Sequence, residues 1–247
     1  MTQKLSRTRV RALCQGLINR WPNAHCELIF HTPFQLLVAV VLSAQTTDGA
    51  VNKSFGAFVT KNKDFGPEDL LKMGESSFLA IIRNIGLAPT KARNCLKLAA
   101  DIVHRFQGSV PRQRHDLESL AGVGRKTANV VLNVLFGEPT IAVDTHVARV
   151  SVRMGIVSPT ANRNQIEEEL IEAIPKNQQQ NIHHVLIFHG RYLCSARKPS
   201  CHECPVEAIC LKVGMQKTPS QLATEIVSRR EKQGENTHTN QVRGSKR

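Results

Sequence analysis

The chain lacks any apolar stretch long enough to cross a bilayer. Its strongest apolar run, Phe34 to Leu42, is interrupted by Gln35 and falls well short of the ~20 residues that a spanning helix needs. It also lacks a secretory signal with an apolar core, and it is poor in acids: 20 Asp and Glu stand against 33 Lys and Arg, leaving +13 over 247 residues. The excess is not confined to one end. Residues 212–247 hold eight Lys/Arg and three acids, so the remainder still carries +8. A basic body of this kind suits a polyanionic partner, although a solvated basic surface gives the same count. Paired cysteines spread through the chain, as in a secreted disulfide framework, are missing too. Cys14, Cys26 and Cys95 are scattered, whereas four cysteines bunch between 194 and 210, which points to a metal site in a reducing compartment and to a cytoplasmic protein.

No strand ladder is visible. Helical periodicity covers 34–45, 76–84, 90–106, 114–120, 125–136, 145–153, 163–173 and 180–190, with turn signals between them at Gly66-Pro67, Gly86, Gly108, Gly122, Gly137 and Pro175. The fold class is therefore all-α. Before the first acid, Glu27, the segment carrying Lys4, Arg7, Arg9, Arg11 and Arg20 has the basic, acid-poor composition of an organelle transit peptide. Val10, Leu13, Leu17 and Ile18 nevertheless recur at helical spacing until Trp21-Pro22, which predicts an amphipathic helix folded against the body. Beyond Leu211 apolar periodicity fades, apart from a weak helical stretch at Leu222 to Ile226, and residues 212–247 read as a basic, mostly disordered tail.

Cys194, Cys201, Cys204 and Cys210 form C-x6-C-x2-C-x5-C, close enough for one short loop to wrap four thiolates around an inorganic centre. Zinc competes with iron–sulphur here, but zinc sites usually pair their ligands as two short steps, and only Cys201 and Cys204 make one. Arg191, Arg197 and Lys198 lie beside the loop, facing either a phosphate backbone or simply an anionic cluster.

Between the helices predicted at 114–120 and 125–136 sits Leu120-Ala121-Gly122-Val123-Gly124-Arg125-Lys126-Thr127-Ala128, which reads as a helix-hairpin-helix. Gly122 and Gly124, lacking Cβ, let backbone N–H groups approach a phosphate, and the helix start adds its positive end. The spacing is not that of a Walker loop. Lys126 falls in the first helical turn, beside Arg125, where the dipole disfavours a cation and favours a nucleophilic free amine; phosphate binding by both residues is the bland alternative. Downstream, Asp144 follows the short apolar segment Thr140 to Val143 and precedes a helix, a natural N-cap whose fixed carboxylate also suits a partner for an amine. His146 is ambiguous, and His183, His184 and His189 on one apolar helix read as satisfied core or surface histidines rather than ligands.

Taken together, Leu42 to Asp48 (LSAQTTD), the GVGRKTANVVLN string, Ile141 to His146 (IAVDTH), His189 to Tyr192 and the four-cysteine loop resemble the endonuclease III family of the helix-hairpin-helix DNA glycosylase superfamily, over roughly Leu5 to Leu211. The resemblance implies two all-α parts with DNA in the cleft between them. A six-helix barrel domain would span 23–139, and an iron–sulphur cluster domain would combine 1–22 with 140–211. It implies a [4Fe-4S] cluster on the four cysteines. It implies a monomeric, nucleoid-associated, bacterial-type enzyme of base-excision repair that acts on duplex DNA containing damaged pyrimidines or abasic sites. Lys126 would attack C1′ of a flipped-out nucleotide with the help of Asp144, and β-elimination would then cut the strand. Gln45 would fill the vacated stack and Leu87 would wedge in from the other side, with Gly122, Gly124, Arg125, Thr127, His146, Arg191 and Lys198 as further DNA contacts. Ala121 stands where the family's hairpin usually has proline, and Ala88 where a larger side chain is expected after the wedge. An adenine-mispair glycosylase shares the fold but ordinarily lacks the hairpin lysine and carries a further C-terminal domain; a non-catalytic iron–sulphur DNA-binding module is the remaining alternative.

Overall fold

A computed structural model describes residues 4–215, which form helices and turns with no strand among them. The expected tail lies, from 216 onward, outside the described residues. No helix among the described residues is long and apolar enough to cross a membrane.

The amphipathic N-terminal helix is present as α1 (Arg7–Arg20). Ser6 caps it by accepting the Arg9 N–H, and Val10, Leu13, Cys14 and Leu17 form its buried stripe. The apolar run becomes α2 (Pro33–Leu42), in which every residue after Pro33 is buried. Gln35, which interrupts the run, is itself fully buried. Its amide donates to the carbonyls of Lys63 at 2.8 Å and Phe65 at 3.1 Å, while its oxygen accepts the His31 N–H at 2.8 Å. One buried amide thus pins the loop after the next helical segment, as a buried polar group must find partners.

That segment went unassigned in the periodicity. It comprises α3 (Asp48–Val51), a π-helical turn Asn52–Gly56 and α4 (Ala57–Lys61), with Val51, Phe55 and Val59 buried. The extra residue of the π turn breaks the 3.6-residue period, which explains the missing signal. Next, α5 (Pro67–Ile82) starts nine residues earlier than the predicted 76–84. Gly74, at φ 75° and ψ 167°, interrupts it, so only the second half shows continuous periodicity. The remaining helices lie near expectation: α6 (Ala88–Phe106), α7 (Arg114–Glu118), α8 (Arg125–Phe136), α9 (Thr145–Met154), α10 (Arg163–Ala173) and α11 (Lys176–Tyr192); a 3₁₀ turn at Cys201–Glu203 was not predicted.

Two apolar cores organise these elements. One draws its buried residues from Leu28 through Leu132, centred on α2, α5 and α6; the other joins α1 to residues between Ile141 and Val206. Within the second, α9 and α11 approach at Gly190, where a Cβ would stand 2.8 Å from the Cβ of His146 and 3.2 Å from Val150 Cγ2. Arg149 reinforces the contact by donating to the Gly190 carbonyl at 2.8 Å. Because the neighbour is a Cβ fixed to backbone, it cannot swing away. Gly190→Ala is therefore expected to push the two helices apart and to cost about 1–3 kcal/mol, read as a lowered thermal midpoint; an unchanged midpoint would show that the approach is not tight.

Candidate active site

From Gly137 to Val143 the chain crosses between the two cores as irregular backbone, with Thr140, Ile141, Ala142 and Val143 buried. Buried peptide groups need partners, and α8 supplies several of them. Asn133 Nδ2 donates to the Thr140 carbonyl at 3.0 Å and Asn129 Nδ2 to the Ile141 carbonyl at 3.4 Å, while the Thr140 hydroxyl donates back to the Asn129 carbonyl at 2.6 Å. The same helix carries Lys126 in its first turn, and the crossover ends on Asp144. Asp144 caps α9, its Oδ1 accepting the Val147 N–H at 2.7 Å. Lys126 and Asp144, set on different helices, consequently line one pocket together with Thr127, Glu27, Asp48, His183 and His184.

The hairpin leading into α8 is tight where the glycines predict it. Gly122 has φ 79°, and a Cβ there would crowd Val41 Cγ1 and Asn94 Nδ2 at 3.2 Å each. Gly124 is extended and exposed, with open space around it, and caps the first turn formed by Arg125, Lys126 and Thr127. Ala121, in the proline position, is half-buried without disturbing this turn.

Gln45 follows Ser43 and Ala44, which line the pocket, and Leu87 stands on a second loop. Both adopt left-handed backbone, at φ 55° and 61°, and both are exposed, Leu87 by 62%. A non-glycine residue there is strained by about 1–2 kcal/mol, so the surroundings must impose the conformation. Ala88 turns inward and is buried in the first core.

Two cations expected as DNA contacts are paired with carboxylates within the protein. Arg125 donates to both oxygens of Glu167, at 2.9 and 3.2 Å, and Arg114 joins at 3.3 Å. Arg191 bridges Glu27 and Asp48, and the Tyr192 hydroxyl donates to Glu27 at 2.6 Å. Glu167, 4% exposed, was not singled out by the sequence, though it lies on the Ile166, Leu170 and Ile174 face of α10, where a carboxylate is out of place. Burial pushes its carboxyl up, but the hydrogen bonds from Arg125 and Asn129 and the arginine charges outweigh that and hold it below 4.5. His146 Nδ1 lies 3.2 Å from Arg149, and Lys198 is exposed on the cysteine loop.

The thiols of that loop are mutually close enough for Cys210, Cys194 and Cys201 to add to the burial that pushes Cys204 up to about 11. Among the described residues no three His, Cys, Asp or Glu side chains surround one point closely enough for a single metal ion. An all-thiol donor set suits a cluster, whose iron and sulphide fill the space between ligands and displace the thiol protons. The polar surroundings fit the resulting negative charge. Arg153 donates to Cys194 Sγ at 3.6 Å and to the Ser195 carbonyl at 2.6 Å. Trp21 Nε1, which can only donate, points at His189 Nδ1 at 3.3 Å, leaving the His189 proton on Nε2, 3.7 Å from Cys204 Sγ.

The match to known proteins spans both parts of this arrangement. Residues 38–176 fit the model of the HhH-GPD superfamily base excision DNA repair protein, and residues 194–210 that of the iron-sulfur binding domain of endonuclease III. The endonuclease III of Bacillus subtilis is 47% identical over 190 residues, covering 77% of this chain and 86% of that protein. A trapped endonuclease III–DNA covalent intermediate superposes with a TM-score of 0.78 at 44% identity, over 84% of this chain and 97% of that one. A non-covalent endonuclease III–DNA complex gives a TM-score of 0.79 at 43% identity, over 84% and 96%.

Of the pocket histidines, read from the sequence as satisfied core or surface residues, His183 departs: it is buried, and neither ring nitrogen has a partner among the described residues. Burial, reinforced by His184 and Lys126, holds it well below the usual imidazole range, and burial holds His184 at about 4. The unfolded chain therefore takes up protons first as pH falls. Stability fully present above about pH 6.5 should decline towards pH 4, by up to about 1.4 kcal/mol per pH unit for each imidazole. Urea midpoints measured between pH 7 and pH 4 should fall less steeply for the His183→Gln/His184→Gln double variant; an equal slope would assign the decline to other groups.

Proposed function

The chain belongs to the endonuclease III family of helix-hairpin-helix base-excision DNA repair proteins, and we propose that Lys126 and Asp144 are the groups with which it excises damaged pyrimidines from duplex DNA. As a member of that family it is a DNA glycosylase with abasic-site lyase activity, and its cofactor is a [4Fe-4S] cluster. The observation that carries the residue assignment is the shared pocket: a hairpin lysine and a capped aspartate, from helices tied together through the crossover.

In this reading the target nucleotide leaves the stack, which costs least at a damaged pair. The free amine of Lys126 forms a bond to C1′ as the bond from C1′ to the base breaks, and the departing base takes the electron pair and a proton. Asp144, one oxygen held by the cap, serves these proton transfers with the other. Opening of the sugar gives an imine between Lys126 and C1′. Loss of a proton from C2′ and cleavage of the C3′–O bond then break the strand on the 3′ side, and water releases the lysine. A relative trapped as a covalent intermediate with DNA supports this route.

Around the pocket, Gly122, Gly124 and Thr127 offer backbone and hydroxyl donors to phosphate at the α8 start, with His146 and Lys198 further out. Arg125 and Arg191 act through Glu167, Glu27 and Asp48, holding the hairpin and α11 in place. The two separate cores support a division into two domains, 1–22 with 140–211 and 23–139, and the enzyme works as a monomer at the nucleoid. Cys194, Cys201, Cys204 and Cys210 would hold the cluster, whose thiolate ligation cross-links their loop; no reaction step passes through it.

Incubation with abasic-site duplex and borohydride, which reduces the imine to a stable amine, is expected to give a covalent adduct that Lys126→Gln abolishes. Absence of an adduct with the wild-type protein, or its persistence in Lys126→Gln, would overturn the assignment. Cys201→Ala is expected to lose the visible thiolate-to-iron absorption and to lower the thermal midpoint together, whereas retention of both would remove that cysteine from the ligand set.

A further inference from the structure

Lys91 is 5% exposed, yet among the described residues no carboxylate pairs with it; an ammonium is costly to bury unless its donors are used. Its Nζ donates to the Leu42 carbonyl at 2.8 Å and to the Thr46 hydroxyl at 2.8 Å. The Leu42 carbonyl ends α2, where helix carbonyls lack intrahelical partners and a cation is favourable. Thr46 in turn closes a tight turn over Gln45. Its N–H donates to the Ser43 carbonyl at 3.1 Å and its hydroxyl to the Ala44 carbonyl at 3.4 Å. One side chain therefore brackets the left-handed Gln45 from both flanks.

The same residue reaches the second loop through its backbone. The Lys91 N–H donates to the Leu87 carbonyl at 3.0 Å, the first bond of α6, whose N-cap Leu87 has no side-chain cap of its own. The two loops also lie close together: a Cβ added at Gly86 would come within 3.8 Å of Thr46 Oγ1. Burial lowers the Lys91 ammonium from its usual range, so the cation is held at some cost for what it ties together.

We propose that Lys91 is a positioning residue that locks the Gln45 and Leu87 loops to each other, so that the two strained, exposed side chains meet the duplex as one preformed wedge. This rests on the reading that Gln45 and Leu87 enter the base stack. Fixing both in advance removes the ordering cost that two mobile loops would carry on binding. Lys91 touches neither DNA nor the reacting atoms, so its effect should appear in invasion of the stack and not in imine chemistry.

The test uses the cluster-loaded protein and a duplex carrying 2-aminopurine opposite an oxidised pyrimidine, read alongside single-turnover excision and borohydride trapping on a single-stranded abasic oligonucleotide, where no stack needs opening. Lys91→Met is expected to cut excision and the rise in 2-aminopurine fluorescence roughly tenfold, while trapping on the single strand stays within about twofold of wild type. Combined with Leu87→Ala or Gln45→Ala, it should cost little further, because the residues act as a unit. Thr46→Val, which removes only the hydroxyl, should reproduce the pattern more weakly and stands in if Lys91→Met fails to fold. Equal loss on the single strand, additive penalties in the double variants, or unchanged excision would overturn the proposal. If Leu87→Ala and Gln45→Ala themselves leave the fluorescence rise intact, the underlying wedge reading fails first, and the lock has nothing to position.

Discussion

The arrangement depends on one awkward requirement: four consecutive residues of irregular backbone, Thr140 to Val143, pass through the protein interior. Regular structure would satisfy their peptide groups automatically, and here side chains must do so. Asn129 and Asn133, one helical turn apart on α8, face the strip and hold its carbonyls, and Thr140 returns a hydrogen bond to α8. Because Lys126 lies one turn before Asn129 and Asp144 ends the strip, the bonds that make burial tolerable also set the distance between amine and carboxylate. Stability and geometry are the same contacts at this point. A loosened crossover would lose both, and with them the proton transfer proposed for the carboxylate.

This accounts for how much of the site was legible in advance. Lys126, Asp144 and the cysteines stand in local patterns that spacing marks as candidates, and the Asp144 cap follows from a residue preceding a helical run; nucleophile, partner and cluster came only with the family resemblance. Asn129 and Asn133 were visible only as letters in the hairpin string, because their partners come from another segment. Glu167, Glu27 and Lys91 act through contacts 42, 164 and 49 residues away in sequence, and no local period encodes those. Most helices were legible for the opposite reason: each buries one stripe, and burial leaves a period. The exceptions prove the mechanism. The π turn at Asn52–Gly56 and the left-handed Gly74 each break the period while leaving the chain helical on both sides.

Charge is the other place where position overrides composition. A basic sequence invites the view that every arginine near the hairpin seeks phosphate, yet Arg125 and Arg191 are paired with carboxylates, and Arg149 and Arg153 with carbonyls at the end of α11 and in the cysteine loop. Their planar forks suit such multidentate work better than lysine would. They bind hairpin to α10, α11 to the Glu27 arm, and α9 to the loop that carries the cluster ligands.

On the proposed reading, these arginines also hold still the groups that meet the backbone. The hairpin amides around Gly122 and Gly124 carry partial charge, need no side-chain ordering, and sit at the start of α8, whose dipole adds to them. The remaining lysines and arginines raise the encounter rate through a diffuse field. On the proposed reading, a frame of ion pairs, asparagines and the buried Lys91 would hold these groups for the DNA, and would sustain the strain at Gln45 and Leu87 before a duplex binds.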